Sequence, residues 1–445
     1  MENYAHQACI RCRRQKRGCN RLMPICSRCK RLNLQCRYQG VEVDWEPPAR
    51  SDISQLTVTT LSHTVQSQVS AIIGDAEAIA LSSTAFFSTI HPWFPIVNRD
   101  AYYRGLARFR SDASPEFSFL TLCLYLLGMR PTDGAMSGQM HGLYILATGL
   151  AASLAASGAG SVDFMCARLL LSIFEVGHGT YPAAYISMGA NMRVAAAMGA
   201  SLPSGKLLDR LGSCDAVSDA RRVWQGLVIL ERYISLEMDK VLNANEILGE
   251  NINGSLMQAQ DAALNDLLRA SGLLEETLTH IFTAAPYDAK YDEAIPLIQS
   301  LVALRDSLAN DGRPILSCPA TALCRSAFMI IMENGYRMEH PPGKDCSPLS
   351  IALLQADIDQ FMGVCEDYMR TVPDYGGINI PIFFVHTIGI AALMTVRYFR
   401  DSQATNGMAS VQCLQRVLEA VSKRWLAAGV YLEKIHREHH VPVSS

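Results

Sequence analysis

The chain has 445 residues, 49% of them hydrophobic and 18% charged, with a formal net charge of −3. A chain of this length is too long to fold around one small hydrophobic core, so we expect two or more structural units. The charge is divided unevenly: residues 1–40 contain ten of the 39 Lys and Arg residues but, in Glu2, one of the 42 acidic residues. Residues 1–40, the basic head, carry a net charge of +9, and the remaining residues, the acidic body, carry −12. This division favours the head as a nucleic-acid surface and excludes the body as one.

Six cysteines lie in the basic head at a repeated spacing. The pattern C-x2-C-x6-C occurs twice, and its members are Cys9, Cys12, Cys19, Cys26, Cys29 and Cys36. Two separate tetrahedral zinc sites need eight ligands, which six thiolates cannot supply. If two sulfurs bridge both metals, six sulfurs fill all eight positions. The duplicated spacing suits such a shared cluster.

A disulfide framework is the alternative for these cysteines, but it needs an oxidising compartment. Residues 1–8 contain no apolar run, so we expect no secretory signal. The other eight cysteines show no C-x2-C pairing, and most have apolar neighbours, as free thiols in a protein core do. The pattern therefore favours zinc, with two ions held by the six cysteines.

Together with the basic run between Cys12 and Cys19 and the loop residue Pro24, these positions resemble the fungal six-cysteine, two-zinc binuclear cluster of the galactose-regulator type. The resemblance implies that Cys9 and Cys26, the first cysteine of each half, bridge the two zinc ions. It also implies two short pseudo-symmetric helical halves that bind CGG-like triplets in double-stranded DNA.

The same resemblance assigns DNA contacts. Lys16 stands at the position that reads bases, as a donor to guanine O6 and N7. The residues expected mainly on phosphates are Arg13, Arg14, Arg17, Lys30 and Arg31. Gln15 stands where the family has a second lysine, so half of the usual lysine pair is present. We expect the segment from Arg13 to Gly18 to extend the helix that begins at Cys9.

The segment after the cluster is Ser/Thr-rich between residues 51 and 70 and gives no firm helical start. A heptad with Val65 and Ile72 at a positions places Gln68 and Asp75 at d positions, which disfavours a coiled coil. The predicted regions are a zinc-cluster domain (1–40), a flexible linker (41–75), an all-α regulatory domain (76–436) and a C-terminal tail (437–445).

From residue 76 onward the apolar pattern is helical, with no convincing run of short alternating strands. The predicted helices cover residues 76–90, 161–177, 183–199, 216–236, 255–270, 292–310, 319–336, 349–369, 381–400 and 410–436. Two uncharged stretches, 138–162 and 381–396, are better explained as buried helices than as membrane spans, which need roughly 20 apolar residues. We expect no membrane partner. The fold class expected is a small Cys-rich module followed by a large all-α domain.

The all-α region resembles the fungal-specific transcription factor domain, also called the middle homology region. The segments that carry the resemblance are Phe86-Phe87 with residues 91–97, residues 167–201, and residues 220–233. Glu231 stands where an Asp is more usual, and Asn98 stands where a His is often found.

These features predict a sequence-specific DNA-binding transcription regulator in the nucleus, an activator of a pathway-specific gene set. The architecture is similar to regulators of fungal secondary-metabolite clusters, and a metabolite-sensing regulator of sugar or amino-acid metabolism is the alternative. A zinc-dependent protein-interaction module is disfavoured because it needs no phosphate-neutralising charge. No H-E-x-x-H or G-x-S-x-G run occurs, so we expect no enzyme. Further candidate partners are a second copy of the chain, a small-molecule effector and the transcription machinery.

Overall fold

A computed structural model describes residues 4–32, 34, 36, 38, 52–109, 113–200, 202–238, 261–310, 314–371, 380–399 and 407–439. The chain divides into two compact units, Met1–Thr60 and Leu61–Ser445. Across the described ranges the chain is helical, and β-pairing occurs as isolated bridges such as Tyr4–Leu22. The predicted fold class, a Cys-rich module followed by an all-α domain, is confirmed.

The first unit contains two five-residue helices, α1 (Ile10–Arg14) and α2 (Ser27–Arg31). A third helix, α3 (Asp52–Ile73), occupies the segment in which the sequence suggested no helical start, so that expectation is wrong. Val65 and Val69 of α3 are fully buried and belong to the core of the second unit. Burial of this face gives the helix a stability that its Ser/Thr-rich sequence lacks.

In the described residues between 76 and 238, eight helices build the first part of the second unit. They are α4 (Ala76–Thr89), α5 (Arg99–Ala107), α6 (Pro115–Gly128), α7 (Gly138–Ala156), α8 (Val162–Gly177), α9 (Tyr181–Met198), α10 (Ser204–Leu211) and α11 (Cys214–Glu237). Helix α8 packs against α6, α9 and α11, and its side chains from Phe164 onward are nearly all buried. Gly226 of α11 permits this close packing, because an added Cβ would lie 2.7 Å from Leu169.

The described residues from 261 onward contain seven further helices. They are α12 (Ala262–Phe282), α13 (Tyr287–Ala309), α14 (Pro319–Arg337), α15 (Ser347–Thr371), α16 (Phe383–Met394), α17 (Gly407–Ser422) and α18 (Ala427–His439). Helix α14 packs against α12, α13, α15 and α16 and is the centre of this part of the core. A π-helical turn, Thr395–Phe399, follows α16 where the sequence predicted one helix to residue 400.

The predicted helix 410–436 is also corrected, because the chain turns between α17 and α18. The backbone N–H groups of Arg424 and Trp425 donate to the Val421 carbonyl at 2.9 and 2.8 Å. The indole of Trp425 is buried, and its Nε1 donates to the Ile380 carbonyl at 2.9 Å. The Arg424 guanidinium donates to the Met129 carbonyl at 3.0 Å. These buried anchors end one helix and redirect the next.

The helices α5, α6 and α10 were missed from the sequence. Helix α6 lacks amphipathic periodicity because both of its faces are buried, while its start is marked by Ser114, whose side chain accepts from the Phe117 N–H at 3.1 Å. The predicted helix 255–270 begins at Ala262, and residues 255–260 lie outside the described residues. The uncharged stretch 138–162 forms α7 and the start of α8.

Within the ranges that the structure describes, no single helix is long and apolar enough to cross a membrane. One pair of helical segments, His63–Ile73 and Ala76–Thr89, bent by 75° at the break between them, passes by length and composition.

Candidate metal centre and nucleic-acid interface

The two halves of the cysteine cluster repeat one backbone arrangement. Cys9 and Cys26 are the N-caps of α1 and α2, and each Sγ accepts from the backbone N–H three residues later, that of Cys12 or Cys29, at 3.4 Å. Each N-cap residue in turn donates its own N–H to the last cysteine of its half, with N···Sγ distances of 3.5 Å for Cys9 to Cys19 and 3.4 Å in the second half. The repeat in the sequence is therefore a repeat in three dimensions.

The six sulfurs form two overlapping groups of four. Their members are Cys9, Cys12, Cys19 and Cys26 in one group, and Cys9, Cys26, Cys29 and Cys36 in the other, with all sulfurs of a group within 4.8 Å of one another. Cys9 and Cys26 belong to both groups, as the resemblance implied for bridging ligands. Their own sulfurs lie 4.0 Å apart.

The spacing of the sulfurs fits tetrahedral zinc. With a Zn–S distance of about 2.3 Å, two ligands of one tetrahedral ion lie about 3.8 Å apart. The Sγ of Cys9 is 3.8 Å from that of Cys29, and the Sγ of Cys12 is 3.9 Å from that of Cys26. These separations are far too long for disulfides, whose sulfurs lie about 2.05 Å apart, and the cysteines are free thiols.

The two shared sulfurs differ in acidity from those of Cys12 and Cys29. Burial by itself raises the pKa of Cys26, but hydrogen bonds from the Cys29 N–H and from neighbouring thiols outweigh burial and lower this pKa to about 6. Burial also acts to raise the pKa of Cys9, but the corresponding hydrogen bonds outweigh it, so this pKa is lowered as well. Burial and neighbouring sulfurs raise the pKa of Cys12 and Cys29. The protein therefore favours a thiolate, the metal-binding form, at the two shared positions.

Two residues that the sequence analysis missed complete the module. The Tyr38 hydroxyl is buried, donates to the Leu22 carbonyl at 2.9 Å and lies 3.9 Å from the Cys19 sulfur. Asn20 holds the start of α2: its Oδ1 accepts from the Ser27 N–H at 2.9 Å, and its Nδ2 donates to the Ser27 hydroxyl. In the sequence, the signal for this contact was Ser27, a residue type common at helix starts, directly after Cys26.

The basic side chains surround this core on its exposed surface. Those proposed for DNA, all exposed, are Arg13, Arg14, Lys16, Arg17, Lys30 and Arg31. Arg13 and Arg14 end α1, and Lys30 and Arg31 occupy the equivalent places at the end of α2. The pseudo-symmetry that orders the sulfurs thus also spreads positive charge over both halves.

Lys16 lies outside the helix, contrary to the expectation that the helix runs on to Gly18. Helix α1 ends at Arg14, and Lys16 has a φ of +48°, in the left-handed region. The N–H of Lys16 donates to the Arg13 carbonyl at 3.1 Å, and that of Arg17 donates to the Cys12 carbonyl at 2.9 Å. This pair of bonds is the Schellman pattern that ends helices, in which glycine usually takes the left-handed position.

A lysine at this position is unfavourable for the backbone. An L-residue in the left-handed conformation costs about 1 kcal/mol relative to glycine. The turn directs Lys16 away from the helix and leaves its side chain exposed. Backbone stability alone therefore favours glycine at this position, but the chain has a lysine there.

Comparison with known proteins matches both parts of the chain. Residues 7–41 match the family model of the fungal Zn(2)-Cys(6) binuclear cluster domain, and residues 84–240 match that of the fungal specific transcription factor domain. A curated relative, "Transcription factor BOA15" of Botryotinia fuckeliana (strain B05.10), is 29% identical over 140 residues, which cover 30% of this chain and 76% of the relative. No solved structure matches the chain.

The chain is therefore similar to fungal Zn(2)-Cys(6) transcription factors in both of its matched regions. The match to the binuclear cluster domain implies zinc binding and a DNA partner, and the matched families and the relative are transcription factors and not enzymes.

The second matched family covers the helices from the end of α4 to α11. In this part of the transcription factor, His91 closes the turn after α4, because its Nε2 lies 2.9 Å from the Val97 carbonyl oxygen. Glu231 is buried with one carboxylate oxygen that has no hydrogen-bond partner among the described residues, and burial raises its pKa to about 8. The next residue, Arg232, donates to the Ser271 hydroxyl at 3.0 Å and pairs with Glu275 at 2.5 Å.

Proposed function

We propose that the transcription factor binds two zinc ions through its six N-terminal cysteines, with Cys9 and Cys26 as the shared ligands, and recognises CGG-like triplets in DNA. The observation that carries this proposal is the pair of overlapping four-sulfur groups with two members in common. A sulfur that belongs to both groups can satisfy two metals, so six cysteines supply eight coordination positions. Metal binding would fix the fold of this small module, as it does in other zinc domains.

The basic residues divide into positioning and reading groups. Arginine and lysine side chains on phosphates fix the register of a protein on DNA, and base-edge contacts select the sequence. We assign the phosphate contacts to the ends of α1 and α2 and to Arg17, and the base contact to Lys16. The left-handed turn that follows α1 supports this assignment, because it places the exposed Lys16 apart from the arginines that end the helix.

Salt dependence tests whether phosphate contacts drive binding. Five phosphate contacts predict a slope of log K against log salt of about −4.5, which is a loss of roughly 500-fold in affinity between 50 and 200 mM salt. A titration of the full-length protein on a CGG-containing duplex and on a scrambled duplex measures this slope and the sequence preference together. Failure to bind either duplex even at low salt would instead support the alternative, a zinc-dependent protein-interaction module.

The regional organisation is part of the proposal. Residues 1–40 bind DNA, 76–436 regulate, and 437–445 form a tail, with the protein acting in the nucleus as an activator. Residues 41–75 link these regions, although Val65 and Val69 of α3 also belong to the core of the second unit. A homodimer is a candidate assembly. The fully buried Val65 and Val69 of α3 cannot form a coiled-coil seam with a second copy, since they pack into the core of their own chain. A dimer contact must therefore use other residues.

A small-molecule effector has a candidate site in the all-α body. A cavity of about 690 Å³ lies among the C-terminal ends of α11, α12 and α14 and the helices α16 and α18. Leu278, Phe282 and Leu393 contribute apolar walls, and Arg397 and Lys434 contribute charge. The π-helical turn presents Arg397 to Glu438, with contacts of 2.8 and 2.5 Å, and such turns are frequent at functional sites.

A thermal-shift screen tests the effector proposal. Metabolites that bind this cavity should raise the unfolding temperature of the wild-type protein, and Leu393→Trp, which fills the cavity, should abolish the shift. A shift of equal size in the variant would place the ligand elsewhere.

The regulated genes are proposed to form a pathway-specific set, with a secondary-metabolite biosynthetic cluster as the first candidate and sugar or amino-acid metabolism as the alternative. Transcript profiling after deletion of the gene, combined with mapping of the bound DNA, decides between these. Bound sites whose neighbouring transcripts rise on deletion would show a repressor in place of an activator.

A further inference from the structure

A cysteine and a histidine meet in the loop between α14 and α15, far along the chain from the zinc cluster. The Sγ of Cys346 lies 3.2 Å from Nε2 of His340. Cys346 is partly exposed, whereas the imidazole of His340 is 10% exposed. The carbonyl of Cys346 accepts the first hydrogen bond of α15, from the Ser350 N–H at 3.0 Å. The thiol therefore lies at the N-terminus of a long helix, where a negative charge is stabilised.

The surroundings of His340 suit an imidazole that receives the thiol proton. On one side, Nε2 faces the Gly335 carbonyl oxygen at 3.0 Å as well as the Cys346 sulfur. On the other side, Nδ1 faces Oδ1 of Asp345 at 3.5 Å and the Ser347 hydroxyl at 3.3 Å. Acceptors on both sides allow both ring nitrogens to donate when the ring carries two protons. The arrangement of a nucleophile, a base and a carboxylate that orients the base is the one that activates cysteines.

An aromatic surface adjoins this pair. The ring of Tyr287 meets the His340 ring edge-to-face at 5.6 Å, and it stacks on the ring of Tyr291 at 6.1 Å with an angle of 20° between the planes. Tyr291 is 42% exposed, so the stacked rings form part of the accessible surface. The Tyr287 hydroxyl donates to the Lys344 carbonyl at 2.6 Å, which fixes the ring against the loop. A flat aromatic face beside a nucleophile suits a planar, conjugated molecule.

We propose that Cys346 is a covalent modification site for planar α,β-unsaturated carbonyl compounds, with His340 as its base. In the tautomer that carries its proton on Nδ1, which faces Asp345 and Ser347, the thiol proton passes to Nε2 of His340. The Sγ atom then forms a bond to the β-carbon of the compound. The electrons of the C=C bond move to the α-carbon to give an enolate, which then takes up the proton held by His340. The product is a thioether with no change of oxidation state, so no further reactant is needed.

Modification here would act on the centre of the all-α body. Gly335, whose carbonyl contacts His340, belongs to α14, the helix against which four others pack. An added Cβ at Gly335 would lie 2.7 Å from the Ser350 hydroxyl of α15, so the two helices are in close contact beside the thiol. An adduct on Cys346 therefore bears directly on the contact between α14 and α15.

The test measures adduct formation on the full-length, zinc-loaded protein with 2-cyclohexen-1-one as the probe, cysteine by cysteine, by peptide mass spectrometry. Cys214 is the internal reference because it is exposed and lies in the first turn of α11. We expect Cys346 to react at least about ten-fold faster than Cys214, despite its lower exposure. His340→Asn should reduce the rate at Cys346 to about that of Cys214 and leave Cys214 unchanged. An equal or slower rate at Cys346, or an unchanged rate in the variant, would overturn the proposal.

Two further variants separate activation from folding and from recognition. Asp345→Asn, at an exposed carboxylate, should lower the rate at Cys346 about two- to five-fold while the buried Cys365 stays unreactive. Reaction at Cys365 would reveal unfolding, and an unchanged rate at Cys346 in Asp345→Asn would contradict the role of Asp345 as the orienting group.

Tyr291→Ala should slow the reaction of Cys346 with the enone but not its reaction with iodoacetamide, a small probe. Equal slowing of both probes would refute the aromatic recognition surface.

Discussion

Replacement of Lys16 by glycine should strengthen the zinc module and weaken its choice of DNA at the same time. Lys16 adopts a φ of +48° at the end of α1, a conformation that costs an L-residue about 1 kcal/mol and costs glycine little. Lys16→Gly should therefore stabilise the module by about 0.5–1 kcal/mol. Loss of a bidentate contact to guanine should cost about 1–3 kcal/mol on the preferred duplex, a factor of about 5–150 in affinity.

The two effects are measured on one zinc-loaded preparation. Fluorescence anisotropy on matched and scrambled duplexes gives the affinities, and the chelator concentration that removes half of the zinc reports the stability of the module. Misfolding cannot imitate the expected result, since it would lower both resistance to chelator and binding to every duplex. Lys16→Ala should lose the same specificity without the gain in stability, because alanine keeps the strained conformation.

Arg14→Ala is the matched control, at an exposed position two residues earlier. It should weaken binding to both duplexes by a similar factor and reduce the salt slope by about one. If Lys16→Gly shows this uniform loss and Arg14→Ala loses discrimination instead, Lys16 is a phosphate contact and the base-reading assignment is wrong.

Three further predictions concern the two units. The pKa of Glu231 is raised to about 8, so folding is coupled to uptake of a proton at this carboxyl between pH 4.5 and 8. The free energy of unfolding of the wild type should therefore fall by about 3 kcal/mol relative to that of Glu231→Gln from pH 5 to 7.5, as measured by denaturant unfolding. A difference between the two proteins that stays constant with pH would contradict this. Gly177→Ala places a Cβ 2.3 Å from Trp425 and should lower stability by about 1–3 kcal/mol, whereas Gly142→Ala, with open space, should raise it by about 0.5–1 kcal/mol. A fragment of residues 1–75 should retain sequence preference for CGG duplexes, and its complete loss at every salt concentration would show that the body contributes to recognition.

The metal centre could be predicted from the sequence because its ligands are written there directly. Cysteine is the residue type that zinc needs, and a duplicated spacing specifies two equivalent halves. The choice of Cys9 and Cys26 as the shared ligands came from the family resemblance. Helices such as α8 and α14 were likewise found, since long apolar patterns between Gly or Pro signals leave few alternatives. The bounds of α8 and α14 each differ from the prediction by one residue at one end.

The features that were missed depend on contacts between distant residues. Helix α3 has a weak local signal and gains its stability from Val65 and Val69 in the core. The break between α17 and α18 depends on the burial of Trp425 against a carbonyl 45 residues earlier. No local rule foresees such an anchor, because the partner is set by the packing of the whole unit. The left-handed Lys16 was missed for another reason: glycine usually marks this position, and the nearby Gly18 suggested a longer helix.

The pair of His340 and Cys346 shows the same limit within a short segment. Five residues lie between His340 and Cys346, and the spacing matches no catalytic or metal motif. Their meeting requires the loop to turn back across the end of α14, which the Pro341-Pro342-Gly343 run permits and tertiary contacts then fix. In the sequence neither residue belongs to a recognised motif, and the fold places the Sγ of Cys346 3.2 Å from Nε2 of His340.

The central claim is that six sulfurs hold two metals by sharing two of their number, and the zinc content of the purified protein tests it most directly. Elemental analysis of the full-length protein, after removal of loosely bound metal, should give two zinc ions per chain. The overlapping groups at Cys9 and Cys26 require this value, because each set of four sulfurs completes one tetrahedral site. A content of one zinc per chain would contradict the account, since it would leave one of the two groups without a metal.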